Sequence, residues 1–71
     1  MKRLGIIGFG FMGEALVKGV LAGGSPPEIG VIEKDTQRRE IATREYGCRD
    51  YGDEFRSLFT ECSPVILAIK P

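Results

Sequence analysis

Gly8-Phe9-Gly10-Phe11-Met12-Gly13 is a G-x-G-x-x-G hexapeptide that breaks the apolar run beginning at Leu4. Glycine lets a main chain turn sharply, or lets another group come into contact with it. In this spacing each glycine has its own task. Gly8 permits a tight strand-to-helix turn, Gly10 lets a pyrophosphate approach the backbone, and Gly13 lets the helix lie close on the strand. The unpaired N–H groups opening that helix, at the positive end of its dipole, then face the phosphates. Glu33 follows Gly13 by 20 residues, the distance at which an acidic side chain takes a ribose hydroxyl. That carboxylate favours NAD and repels a 2′-phosphate. Lys34, Arg38 and Arg39 lie close behind it and can instead surround such a phosphate, as NADP requires. Residue types leave NAD and NADP both open. A P-loop is excluded, because no G-K-[ST] follows the glycines.

A glycine hexapeptide alone is a weak signal; a strand before it and a helix after it make it specific. Both are predicted here. Leu4 to Ile7 reads as a short buried strand. From Phe11 to Ala22, Met12, Ala15, Leu16, Val20 and Leu21 fall at helical spacing, ended by Gly23-Gly24 and the rigid Ser25-Pro26-Pro27 connector. "EIGVIEK" supplies a second strand through Ile29, Val31 and Ile32. Asp35 or Thr36 caps a second helix running to about Tyr46, with Gly47 as its stop. "CRDY" is a weak short strand, and "DEFRSLFTEC" a third helix with Phe55, Leu58 and Phe59 on one side. "PVILAIK", apolar throughout, reads as a central parallel strand. The order β-α-β-α-β-α-β with short connections predicts an α/β chain: a partial Rossmann fold, its parallel sheet covered by helices on its faces.

Size and composition narrow the function classes. The chain has 71 residues, ten basic and ten acidic, and 42% hydrophobic residues. Its zero formal charge gives no electrostatic reason to expect nucleic acid or an anionic membrane as partner. No apolar run approaches the roughly 20 residues that cross a bilayer. Met1-Lys2-Arg3 precedes an apolar segment, but Gly8, Gly10, Gly13 and Glu14 interrupt it too soon for a signal peptide. Cys48 and Cys62, without any histidine, are too sparse for a zinc site or a disulfide framework. They read as free thiols in a reducing cytoplasm. Such a short chain buries only about 60% of its unfolded surface. The run "SPVILAIKP" stops abruptly, so residues 1–71 are expected to be a fragment, the N-terminal half of a dinucleotide-binding domain.

With the motif in place, "IGFGFMGEALVKGVLAGG", the connector "SPPEIGV" and the closing "LAIKP" resemble the N-terminus of pyrroline-5-carboxylate reductases. "MGEALVKG" and "AIKP" are the more particular parts of that resemblance. It implies an NAD(P)H-dependent reduction of the C=N bond of 1-pyrroline-5-carboxylate to proline, the last step of proline synthesis. It also implies a cofactor-binding turn at Ile7, Gly8, Phe9, Gly10, Phe11 and Met12, closed by Gly13. Ala68, Ile69, Lys70 and Pro71 then line the cofactor towards its nicotinamide end. Ligands of parallel sheets do sit beyond the carboxyl ends of the strands.

The chain departs from that family at two places. Members that prefer NADPH often carry a small hydroxyl or basic residue where Glu33 stands, and members often carry an Asn, near a cofactor ribose, where Asp53-Glu54 opens the third helix here. The family's substrate site and dimer interface lie in a later helical domain. Hence no catalytic residue is assigned, the small imine substrate and homo-oligomer belong to the full-length enzyme, and residues 1–71 alone are expected to be inactive. Two other enzymes share such an N-terminus, 3-hydroxyacid dehydrogenases and deazaflavin-dependent NADP reductases. A non-catalytic NAD(P)-binding module is the alternative outside enzymes.

Overall fold

The computed structural model describes residues 3–69, in which seven elements follow one another in the expected order. These are β1 (Arg3–Ile7), α1 (Phe11–Leu21), β2 (Glu28–Ile32), α2 (Thr36–Tyr46), β3 (Arg49–Asp50), α3 (Phe55–Glu61) and β4 (Val65–Leu67). All strand pairs are parallel, and the sheet order is β3-β2-β1-β4. The chain steps outward from β1 through β2 to β3, then crosses back to place β4 on the other side of β1. This is the Rossmann-like α/β architecture, with its reversal of strand order between β1 and β4.

Alternation along the strands divides the core in two. Leu4, Ile6, Ile29 and Val31 face α1 and α2, where they bury Phe9, Val17, Ala42 and Cys48. The opposite face carries Ile7, Ile32 and Val65 against Tyr51, Leu58 and Cys62. Gly5 and Gly30 are register partners on this second face. A Cβ on Gly5 would lie 2.9 Å from Cys62 Cβ, and one on Gly30 would lie 2.4 Å from Tyr51 Cε2. The two glycines thus form a trough that admits α3 and the Tyr51 ring.

Local signals act as the sequence indicates at α2. The Asp35 carboxylate accepts from the N–H groups of Gln37 (2.9 Å) and Arg38 (3.4 Å), capping the helix start. Gly47 ends it at φ 70°, the left-handed conformation that glycine adopts without a Cβ clash. Both cysteines are free and buried. Burial pushes the Cys48 thiol up to about 11 and raises that of Cys62, so neither is poised as a thiolate. Among the described residues, no helix is long and apolar enough to cross a membrane.

In two helices burial departs from what apolar spacing alone suggests. In α1 the fully buried residues are Gly13 and Val17, whereas Met12 is 64% exposed and Ala15 is exposed too. The helix meets the sheet through Gly13 and Val17, with Leu16, Val20 and Leu21 packed partly buried beside them, and only Met12 and Ala15 of the helically spaced apolar positions turn to solvent. In α3 only Leu58 is buried; Phe55 and Phe59 are exposed, because a seven-residue helix meets the sheet through little more than one turn. Strand β4 pairs with β1 among the described residues, through Leu67, whose side chain is 65% exposed.

Candidate dinucleotide-binding site

The switch point lies where the C-terminal ends of β1 and β4 part. Ala68 N–H donates to Ile7 O at 2.8 Å and Gly8 N–H donates to Ile32 O at 2.8 Å, so the turn after β1 is tied to both neighbouring strands. Ile7, Gly8, Ile32, Glu33, Lys34, Phe55 and Ile69 line a cleft of about 110 Å³ there. A wider hollow of about 570 Å³ shares Ile32, Glu33, Lys34 and Phe55 with it and adds Arg39, Gly52 and Asp53.

The three glycines of the turn meet different surroundings. Gly8 has φ 101°, and a Cβ there would lie 2.7 Å from Ile69 Cγ2 and 2.8 Å from Ala68 O. A Cβ on Gly13 would lie 2.4 Å from Gly8 O. Gly8 and Gly13 therefore let turn, strand and helix pack on one another. Gly10 differs: a Cβ there meets nothing within 4 Å. It is also the N-cap of α1, and no side chain caps this helix start. Helix starts leave their first N–H groups without intrahelical partners. Phe11 and Met12, 83% and 64% exposed, flank that opening. The cradle suits an anion of pyrophosphate size, because the space a side chain would take is open and donors border it.

Glu33 stands just past β2, and its carboxylate is fixed by two backbone donors. Oε1 accepts from Phe9 N–H at 2.5 Å and Oε2 from Asp35 N–H at 2.8 Å. Each oxygen has a second lone-pair direction left for a further donor. Glu33, Lys34, Ile7, Gly8 and Ile69 are thus gathered at one cleft, with Phe9 to Gly13 forming the adjacent turn. Ala68 is buried beside Gly8. Lys70 and Pro71 lie outside the described residues.

Two features escape sequence reasoning. Arg38 is not turned towards a phosphate. Its Nε donates to Phe9 O at 2.9 Å, its Nη2 to Gly10 O at 3.3 Å and to Glu14 Oε1 at 2.5 Å. The guanidinium also lies over the Phe9 and Phe11 rings, 5.6 and 5.1 Å from their centroids. It clasps the turn across 28 to 29 residues of sequence, and no local pattern announces such a contact. Phe55 is the other: its place at the N-terminal end of α3, opposite Glu33, follows from the crossover alone.

Glu14 completes the clasp. Its Oε2 accepts from Tyr46 O–H at 2.6 Å while Oε1 meets Arg38. The Tyr46 hydroxyl and then the Arg38 guanidinium hold its carboxyl below the ordinary value of 4.5, and the same carboxylate pushes Tyr46 up to about 12. A carboxyl depressed on folding stabilises the folded state fully above its unfolded value and loses that contribution as pH falls through the folded one. Stability should therefore decline below about pH 4.5. Glu14→Gln should flatten that decline in thermal melts between neutral and acid pH; an unchanged acid slope would remove Glu14 from the account.

Comparison with known proteins agrees with this geometry. Residues 3–71 match the family model described as NADP oxidoreductase, coenzyme F420-dependent. The chain is 35% identical over 74 aligned positions to pyrroline-5-carboxylate reductase 2 of Bacillus subtilis (strain 168). That alignment covers 100% of this chain and 26% of the relative, so the chain spans about a quarter of that protein's length. No solved structure matches the chain.

Proposed function

Since the chain belongs to the family described as NADP oxidoreductase, coenzyme F420-dependent, we propose that it is the cofactor-holding part of an enzyme reducing 1-pyrroline-5-carboxylate to proline. The family supplies the coarser half of this reading, an NAD(P)-binding oxidoreductase domain. Likeness to the Bacillus reductase supports the finer half. One observation carries the binding site: of the three glycines, only Gly10 opens on empty space, at an uncapped helix start.

The placement of the residues supports the following roles. N–H groups at Phe11, Met12 and Gly13 take the pyrophosphate oxygens, aided by the helix dipole. Glu33 accepts from a hydroxyl of the adenosine ribose, with Lys34 beside it. Ile7, Ala68 and Ile69 form the edge towards the nicotinamide, and Lys70 and Pro71 are assigned to the same edge by the resemblance to pyrroline-5-carboxylate reductases alone. A bound dinucleotide supplies hydride for the imine carbon, and the protein's share is placement and electrostatics. Reduction at coenzyme F420, which the family's description favours, would use the same turn and the same carboxylate. The two readings differ in what meets the nicotinamide.

Amide NMR of the folded chain, titrated with NADH and with NADPH, tests the binding claim. Shifts confined to residues 8–13, 33–35 and 68–69 are expected. A folded sample in which neither cofactor moves those signals would overturn the proposal.

A further inference from the structure

The hollow beside Glu33 has a charge pattern that separates two cofactors differing only by a 2′-phosphate. From β2 and the loop after it come Glu33 and Lys34; from α2 comes Arg39; from the loop before α3 comes Asp53. A site for a doubly charged phosphate ordinarily gathers cations with free donors. Here the guanidinium groups are engaged elsewhere. Arg38 is held by Phe9 O, Gly10 O and Glu14 Oε1. Arg39 reaches Glu33 O at 3.4 Å and pairs with Asp50 Oδ2 at 3.7 Å. Lys34 makes no hydrogen bond or ion pair among the described residues, and it shares the hollow with the carboxylates of Glu33 and Asp53.

Glu33 cannot swing aside at little cost. Both its oxygens are held by backbone donors, at 2.5 and 2.8 Å, and one of those donors belongs to the turn itself. Releasing the carboxylate to admit a phosphate would leave Phe9 N–H without its acceptor, next to a buried ring. A ribose hydroxyl, by contrast, donates into a lone pair that is still free.

Resting on the dinucleotide site proposed above, we infer that this chain selects NADH over NADPH, with Glu33 as the residue that refuses the 2′-phosphate. Selection comes from a built-in repulsion as much as from the hydroxyl's hydrogen bond. This runs against the NADP in the matching family's description, and it is a property of this chain's own residues.

Isothermal titration of the intact chain with NADH, NADPH, ADP-ribose and 2′-phospho-ADP-ribose tests it. The unphosphorylated member of each pair should bind tighter by about tenfold or more, the scale of one unfavourable close charge contact. Raising the salt should narrow the gap, since screening weakens the repulsion. Glu33→Gln keeps the shape and, with its amide oxygen on Phe9 N–H, that acceptor; it gives up the acceptor for Asp35 N–H and removes the charge, so it should bring the two affinities to within about threefold, a difference below 1 kcal/mol. NADPH binding as tightly as NADH to the unaltered chain would overturn the preference. An unchanged ratio in the variant would overturn the role of Glu33. Failure of all four ligands to bind the folded chain would instead strike the underlying site.

Discussion

Gly13→Ala should destabilise the chain by about 3 kcal/mol, the upper part of the range for overfilling a packed interior. Gly19→Ala, in the same helix, should stabilise it by up to about 1 kcal/mol. Both changes replace glycine by the best helix former, so helix propensity alone gives them the same sign. The difference is what the new methyl meets. At Gly19 it meets nothing within 4 Å. At Gly13 it falls 2.4 Å from Gly8 O, which is backbone and cannot rotate out of the way. Gly8 is pinned in turn, by its φ of 101° and by its N–H bond to Ile32 O. The helix must then lift, and Val17, fully buried one turn on, loses its contacts.

A domain of this size has about 4–10 kcal/mol of stability in all, at the usual 0.05–0.15 kcal/mol per residue. A loss of 3 kcal/mol would lower the melting temperature by roughly 12–24 °C, at about 4–8 °C per kcal/mol. Thermal melts of the two variants beside the parent decide it. Equal shifts of the same sign would mean that α1 does not rest on the turn through Gly13.

The glycine spacing is legible in sequence because it encodes close approach directly. Asp35 and Gly47 are legible for a similar reason: a cap acts within a few residues of itself. Element order is equally plain, since hydrophobic period and breakers are local. What is not legible is everything set by where elements land. Val17 is missed because periodicity gives a helix a face but not its phase on the sheet. That phase is set by Gly13, which no hydrophobicity count includes. Gly5 and Gly30 carry no sequence signal of their own, and only their pairing in register turns them into the trough for α3. Arg38 sits in a basic cluster that a phosphate could draw together. Its actual partners are carbonyls brought near by the packing of α2 against α1.

Gly10→Val should weaken NADH binding by about a hundredfold or more while leaving the fold nearly as stable as before. A hydrogen bond to a charged group contributes about 1.5–3 kcal/mol. Pushing the pyrophosphate away from the helix start forfeits at least one or two of these, and about 2.8 kcal/mol corresponds to the hundredfold. The fold has no reason to object. Gly10 has φ −79° and ψ −158°, extended backbone that any residue adopts, and its Cβ direction is empty. Loss of glycine at an N-cap costs about 0.5–1 kcal/mol, and the less flexible unfolded chain returns a similar amount. Gly10 is therefore the one position of the three at which binding and folding come apart. Gly8 and Gly13 variants lose both together, and their failure to bind says nothing about the ligand. Gly10→Ala should give an intermediate loss, since a methyl intrudes less than an isopropyl group. Wild-type affinity in a folded Gly10→Val chain would mean that the pyrophosphate lies somewhere other than the start of α1.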